Sequence, residues 1–466
     1  MIPNGYLDPA SINVVIGYQV LQFPDLVSTV DLPHPSVQGR PTTLLHISHA
    51  PGVRRRVFFV AGVHAREMMN PDMMLSLCYR ICDAYRSGSG VTLGGQSFRM
   101  EDIRAIVQKL DILLIPLVNP DGRQMVIDSD PSWRKNLRDN GPGQQRGVDL
   151  NRNQAFLWGE DSVLGSSDNP HSEIYRGPFV SSEPEGANVI WVLDNYPQIG
   201  CFVDVHSYRG LILYPWGDAG NQAIDPSKNY SNPIYDGKRG NTRTYGEYID
   251  PEDWQWHINT ANALQLAIAN AHGNQYMVKQ GYSLYPTTGT FKDAAYAKPY
   301  GIRSFTLETG KDTGFIPPWP IAMVTIEETM AGLIQLCLEC LPDFEGAWAG
   351  TGTITNGAPA TAPFRIEFVP QVGGAFMVSE YHNWQGPNLP ETPTASGIFT
   401  PLNYILLMIT SEAAAPGWTA ENRWRIELDR IEERISFNVA TSLVPPVGSG
   451  EPTINYTAAG VLLRAL

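Results

Sequence analysis

Four residues stand where a chain of this kind can do chemistry, each at the end of an apolar, strand-like run. His64 and Glu67 close VAGVHARE (Val60–Glu67). Three positions apart on a starting helical turn, they point the same way, and imidazole nitrogen and carboxylate oxygen both bind zinc. His206 ends FVDVHSY (Phe202–Tyr208). Two histidines and one glutamate leave a fourth position open for water, the pattern of catalytic rather than structural zinc sites. Glu308 ends FTLE (Phe305–Glu308). It reads either as an exposed strand end or as a general base tuned by partial burial beside a metal. Taken singly these signals are weak, because H-x-x-E arises by chance and a strand-end histidine is commonly a hydrogen-bonded core residue. His46 and His49 read as strand-face and loop residues, and His257 and His272 as helical ones.

Such residues need elements to carry them, and functional side chains in open α/β sheets collect at the carboxyl ends of strands. RRRVFFVAGVH, LDILLIPLVNP, CFVDVHSY, GLILYPWG and IRSFTLETG are apolar runs ended by turn signals, as expected of strands buried on both faces. Between them PDMMLSLCYRICDAYR, EPEGANVIWVLDNYP, WHINTANALQLAIANAHG and PIAMVTIEETMAGLIQLCLEC have helical periodicity. This alternation predicts an α/β domain over residues 1–342, with a mixed, mostly buried sheet flanked by helices. From residue 343 to 466 the texture becomes short alternating runs separated by Gly, Pro and Asn, which predicts an all-β sandwich or barrel of unassigned role.

The 466 residues carry a formal charge of −14, which argues against nucleic acid or an anionic membrane as partner. No apolar run approaches the length of a transmembrane helix, and the start MIPNGYLDPASINVV lacks the features of a signal peptide. Five cysteines suggest no disulfide framework. Cys78 and Cys82 share a helix face, and the Cys337/Cys340 pair closes an apolar run with no further ligands nearby, so buried thiols are expected.

Between the strand ends lie WRKN (Trp133–Asn136) and GVDLNRN (Gly147–Asn153), whose arginines can bind carboxylates or stabilise an oxyanion. Seven motifs, GVHARE, NPDG, WRKN, GVDLNRN, HSYRGLILYPWG, LYPTTG and FTLETG, follow in an order that resembles the zinc carboxypeptidases of the carboxypeptidase A type. The likeness covers about residues 10 to 340. It implies one zinc ion held by His64, Glu67 and His206, with Glu308 as general base and Arg134 stabilising the oxyanion. It further implies that Asn151, Arg152 and Tyr285 hold the free carboxylate of a peptide C-terminus, that Asp149 orients His64, and that Arg66 lines a subsite. Rival readings are a peptidoglycan or γ-glutamyl peptide amidase on the same fold, and a catalytically silent binding protein.

Counted without gaps from Tyr285, YPTTGTFKDAAY puts Lys292 on the floor of that family's specificity pocket, where relatives carry an aliphatic residue or an acid. An ammonium there favours a carboxylate, hence C-terminal Glu or Asp. A one-residue shift would instead place Phe291 in the pocket, and Asp293 would be able to neutralise the lysine. Two departures from the family stand out: no inhibitory segment precedes the catalytic region, and residues 145–170 contain no cysteine. Both suit an enzyme made active without secretion in a reducing compartment such as the cytoplasm, and nearly as well a chain trimmed of its leader.

Overall fold

The computed structural model describes residues 5–49, 55–160, 165–220, 225–235, 238, 246–297, 299–341, 346–354, 361–370, 376–382, 398–399, 405–413, 419–429, 434–447, 449 and 452–464. Contacts divide the chain into two compact units, Met1–Cys340 and Leu341–Leu466. Pro342, where the sequence places the boundary, lies outside the described residues.

The first unit begins with α1 (Pro9–Gln22), capped by the Asp8 carboxylate on Ser11 N, followed by β1 (Val27–Asp31), β2 (Thr43–Ile47) and β3 (Arg55–Ala61). After α2 (Met69–Ser87) come the hairpin β4 (Val91–Leu93) and β5 (Gln96–Phe98), α3 (Met100–Lys109), β6 (Leu110–Ile115) and α4 (Pro120–Asp128). The chain continues through α5 (Pro184–Asn195), β7 (Ile199–Ser207), β8 (Leu211–Tyr214), α6 (Pro251–His272) and β9 (Met277–Gln280). It closes with α7 (Phe291–Tyr296), β10 (Arg303–Thr309) and α8 (Trp319–Glu339).

Eight strands form one mixed sheet in the order β1-β2-β6-β3-β7-β10-β8-β9. The central β6, β3, β7 and β10 run parallel, and their continuous apolar sequences are buried on both faces. Phe58 of β3 meets Phe202 of β7 at 5.4 Å between ring centroids, in the core that also takes up Phe291. Parallel strands put their carboxyl ends on one edge, so the ends of β3, β7 and β10 lie side by side, with Glu308 opposite His206 in the register.

Two expectations need correction. His64 and Glu67 are not on a helix: α2 starts only at Met69, and the pair sits on the preceding turn, closed by Glu67 N donating to His64 O at 3.2 Å. In addition, α8 is by length and composition apolar enough to cross a membrane. Its most apolar stretch is 72% buried inside the protein, as in a core helix. The cysteines are free, and Cys340 alone among them is only partly buried.

In the second unit, β11 (Gly346–Ile354), β12 (Thr361–Pro370), β13 (Phe376–His382), β14 (Ile398–Phe399), β15 (Ile405–Ala413), β16 (Thr419–Asp429), β17 (Arg434–Val444) and β18 (Ile454–Arg464) form one antiparallel sheet. Its order is β14-β13-β12-β11-β18-β17-β16-β15. Trp424, Ile426 and Leu428 are buried while Arg423 and Arg425 are exposed, the period-two pattern of a sheet with one covered face.

Candidate active site

A cleft of about 290 Å³ opens over the carboxyl ends of β3, β7 and β10, lined among others by His64, Glu67, Arg134, Asn151, Arg152 and Glu308. Asn119, at the N-cap of α4, ties its lining together. Its amide nitrogen donates to the carbonyls of Val63 (3.2 Å) and Lys135 (3.1 Å), while its oxygen caps Gly122 N. Ala65 N donates to Arg134 O, so the segments bearing His64 and Arg134 are held backbone to backbone.

His64, Glu67 and His206 converge and are all buried. His64 Nδ1 is 2.8 Å from Glu67 Oε1, His206 Nδ1 is 3.0 Å from Glu67 Oε2, and the two Nδ1 atoms are 3.0 Å apart. Donors in a tetrahedral zinc site with bonds of about 2.05 Å stand roughly 3.3 Å apart. Each of these pairs is therefore too close by only a few tenths of an ångström, and the donor set fits one zinc ion. Burial would raise the Glu67 carboxyl, but the neighbouring His64 and His206 hold it below the usual range, and Ser207 N donates to it.

Asp149 lies 3.1 Å from His64 Nε2 through Oδ1, while Oδ2 receives Nε (3.1 Å) and Nη2 (2.9 Å) of Arg134. Burial opposes its charge, yet Arg134 and His64 hold the carboxyl well below the usual carboxylate range. Glu308 is half-buried at the cleft wall. Burial pushes its carboxyl up; His206 opposes that and Glu67 adds to it. The turn after Glu308 is fixed by Gly310 N donating to Tyr276 Oη (2.7 Å), which donates to the buried Glu328 (2.6 Å).

Arg134 and Arg152 are 9% and 2% exposed. Asn151 Oδ1 accepts from Phe291 N at 2.9 Å, which aims its amide nitrogen across the cleft floor. Tyr285 is 47% exposed, its ring centroid 6.0 Å from the Arg152 guanidinium. Arg66 lies over the Phe315 ring at 4.4 Å and donates to Ser132 O. Lys292 is only 3% exposed and lines the cleft, while Phe291 belongs to the core instead. The segment forms the short helix α7, capped by Thr290. Lys292 Nζ is paired with Asp293, whose other oxygen accepts from Gly217 N and the Thr290 hydroxyl.

Several lining residues escaped the sequence reading. Tyr208, Arg209 and Phe315 also line the cleft; the first two fall in HSYRGLILYPWG but carry no assigned role there, and nothing local marks Phe315. Asp204 is different: it precedes His206 by two positions on a strand, so both side chains share a face.

Asn136 anchors the Arg134 segment from below, donating to Glu183 (2.7 Å) and Glu185 (3.0 Å) at the start of α5. Burial raises the Glu185 carboxyl to about 7. A raised acid costs folding stability only when ionised. Stability should therefore fall as pH rises from about 4.5 to 7, by about 3 kcal/mol in total. Glu185→Gln should flatten that part of the pH profile in denaturant melts, and an unchanged slope would remove Glu185 as its source.

The zinc carboxypeptidase family profile matches residues 13–332. Carboxypeptidase A4 of Mus musculus is 32% identical over 319 residues, covering 67% of this chain and 64% of that protein, so this chain spans just under two thirds of its length. Carboxypeptidase B of Astacus astacus is 28% identical over 336 residues, 71% of this chain and 95% of that protein. The crystal structure of thrombin activatable fibrinolysis inhibitor superposes with a TM-score of 0.58 at 22% identity, covering 71% of this chain and 73% of that one.

Proposed function

Because the chain belongs to the zinc carboxypeptidase family, we propose that it hydrolyses the last peptide bond of a peptide with a free C-terminus, and prefers Glu or Asp in the final position. The observation that carries the reading is the convergence of His64, Glu67 and His206 in one cleft with Glu308, Arg134, Asn151 and Arg152.

Bound by the two Nδ1 atoms and the Glu67 carboxylate, zinc would supply Lewis acidity toward the scissile carbonyl and the attacking water. Arg152 and the Asn151 amide take the terminal carboxylate, with Tyr285 at the solvent side of the same arginine. Glu308 removes a proton from the attacking water and returns it to the leaving amine as the C–N bond breaks. The Arg134 guanidinium, aligned by Asp149, donates to the carbonyl oxygen as it becomes negative.

Support for the acidic preference comes from Lys292 on the cleft wall. An ammonium has three donors, and among the described residues Asp293 occupies one. Space exists beside it because Gly281 has no side chain: a Cβ there would come within 3.1 Å of Nζ. Since Asp293 already offsets part of the charge, the discrimination should be moderate, roughly 10-fold or more for Glu over Leu.

The test is a set of peptides differing only in the last residue, each as free acid and as amide, with wild type and Lys292→Ala. Free acids should be cleaved and amides left largely intact, with Glu leading in wild type and losing its lead in the variant. Equal cleavage of amides would overturn the exopeptidase reading in favour of an amidase. A wild-type preference for Leu or Phe would remove the acidic specificity alone.

A further inference from the structure

The two histidines that face each other are backed differently. Asp149, behind His64, shares its charge with Arg134 and accepts from Asn151 N. Behind His206, Asp204 Oδ2 lies 2.7 Å from Nε2. Asp204 is wholly buried in the middle of the sheet, opposite Val60 of β3 and Thr306 of β10. Among the described residues no lysine or arginine pairs with it, and no other donor makes a hydrogen bond to either oxygen. The imidazole of His206 is thus its one counter-group.

A buried carboxylate whose one counter-group is an imidazole is costly, and a chain that keeps one at the metal end of a strand needs a reason for it. The geometry supplies one. If Nε2 carries the proton, it donates to Asp204 and leaves the Nδ1 lone pair directed at Glu67 and His64. Asn151 brings its amide nitrogen to within 3.1 Å of the same Nε2, but that amide is a donor, because its oxygen is taken by Phe291 N. Two donors do not bond one another, so the Nε2 proton goes to Asp204, and the Asn151 amide hydrogens stay available to a substrate carboxylate.

We propose that Asp204 is a positioning residue of the metal site, holding His206 in the Nε2–H tautomer with Nδ1 toward the metal, as Asp149 does for His64. This rests on the reading of His64, Glu67 and His206 as a zinc site. Groups that orient metal-bound histidines typically contribute 10- to 100-fold to metal affinity.

The experiment is zinc affinity by competition with a chelator, together with the melting temperature of the zinc-free protein, for wild type, Asp204→Asn and Asp204→Ser. Both variants are expected to bind zinc about 10- to 100-fold more weakly, while their zinc-free melting temperatures stay level or rise because a costly buried charge is gone. Wild-type zinc affinity in both variants overturns the proposal. So does weakened binding that comes with a lower zinc-free melting temperature, since Asp204 would then be supporting the fold. A wild-type chain that binds no zinc overturns the underlying metal reading as well, which separates the two failures.

Discussion

Glu308→Gln should lower kcat for peptide hydrolysis by about 10²- to 10⁴-fold while zinc stays at one ion per chain and KM moves little. Glutamine keeps the shape and the hydrogen-bonding reach of the side chain but cannot take a proton from water or return one to the amine. The wild-type acid limb should also report this group. Burial pushes the Glu308 carboxyl above the ordinary glutamate value, and only its ionised form acts as base. Activity is therefore lost as pH falls through that raised value, and the limb should be missing from the residual rate of the variant. Elemental analysis and a pH–rate series check both points. A loss smaller than 10-fold, with zinc retained, would take Glu308 out of the proton transfers.

Arg134→Lys should be the second most damaging change, lowering kcat by about 10²- to 10³-fold, the scale of losing an oxyanion donor. Charge survives in this variant, but the fork does not. Arg134 spends Nε and Nη2 on Asp149, which leaves Nη1 for the developing oxyanion. A lysine ammonium cannot make both contacts from one rigid plane. Since the contact to substrate strengthens only as charge develops, KM should change far less than kcat. Adding guanidine to Arg134→Ala should restore part of the rate. If KM rises instead and kcat holds, Arg134 binds the ground state and the oxyanion is stabilised elsewhere.

The sheet was legible because its central strands are long apolar runs ended by abrupt turns, and burial on both faces requires just that composition. His64, Glu67, His206 and Glu308 were legible as residues because each ends such a run, and parallel strands bring their carboxyl ends to one edge. Burial of Arg134 and Arg152 was not legible. Nothing in WRKN or GVDLNRN separates an arginine held at 2% exposure from one in solvent. That is decided by contacts between segments: Asn119 holds the Lys135 carbonyl, Glu183 and Glu185 hold Asn136, and Asp149 of one motif pairs with Arg134 of the other. The short helix α7 was missed for a related reason: its six residues are too few to show a period.

What the sequence determined by itself was the inventory: which donors, acids and cations exist, the strand ends that carry them, and an i, i+2 pairing such as Asp204 with His206. Strand periodicity is a local property, so it can be read without knowing the neighbours. The tertiary structure alone decided relations across the sheet. It brought two Nδ1 atoms from positions 142 residues apart to 3.0 Å, turned Lys292 inward beside the cleft, and joined it to Asp293. Distances, burial and charge pairing depend on which segments meet, and long-range packing around a shared core sets that.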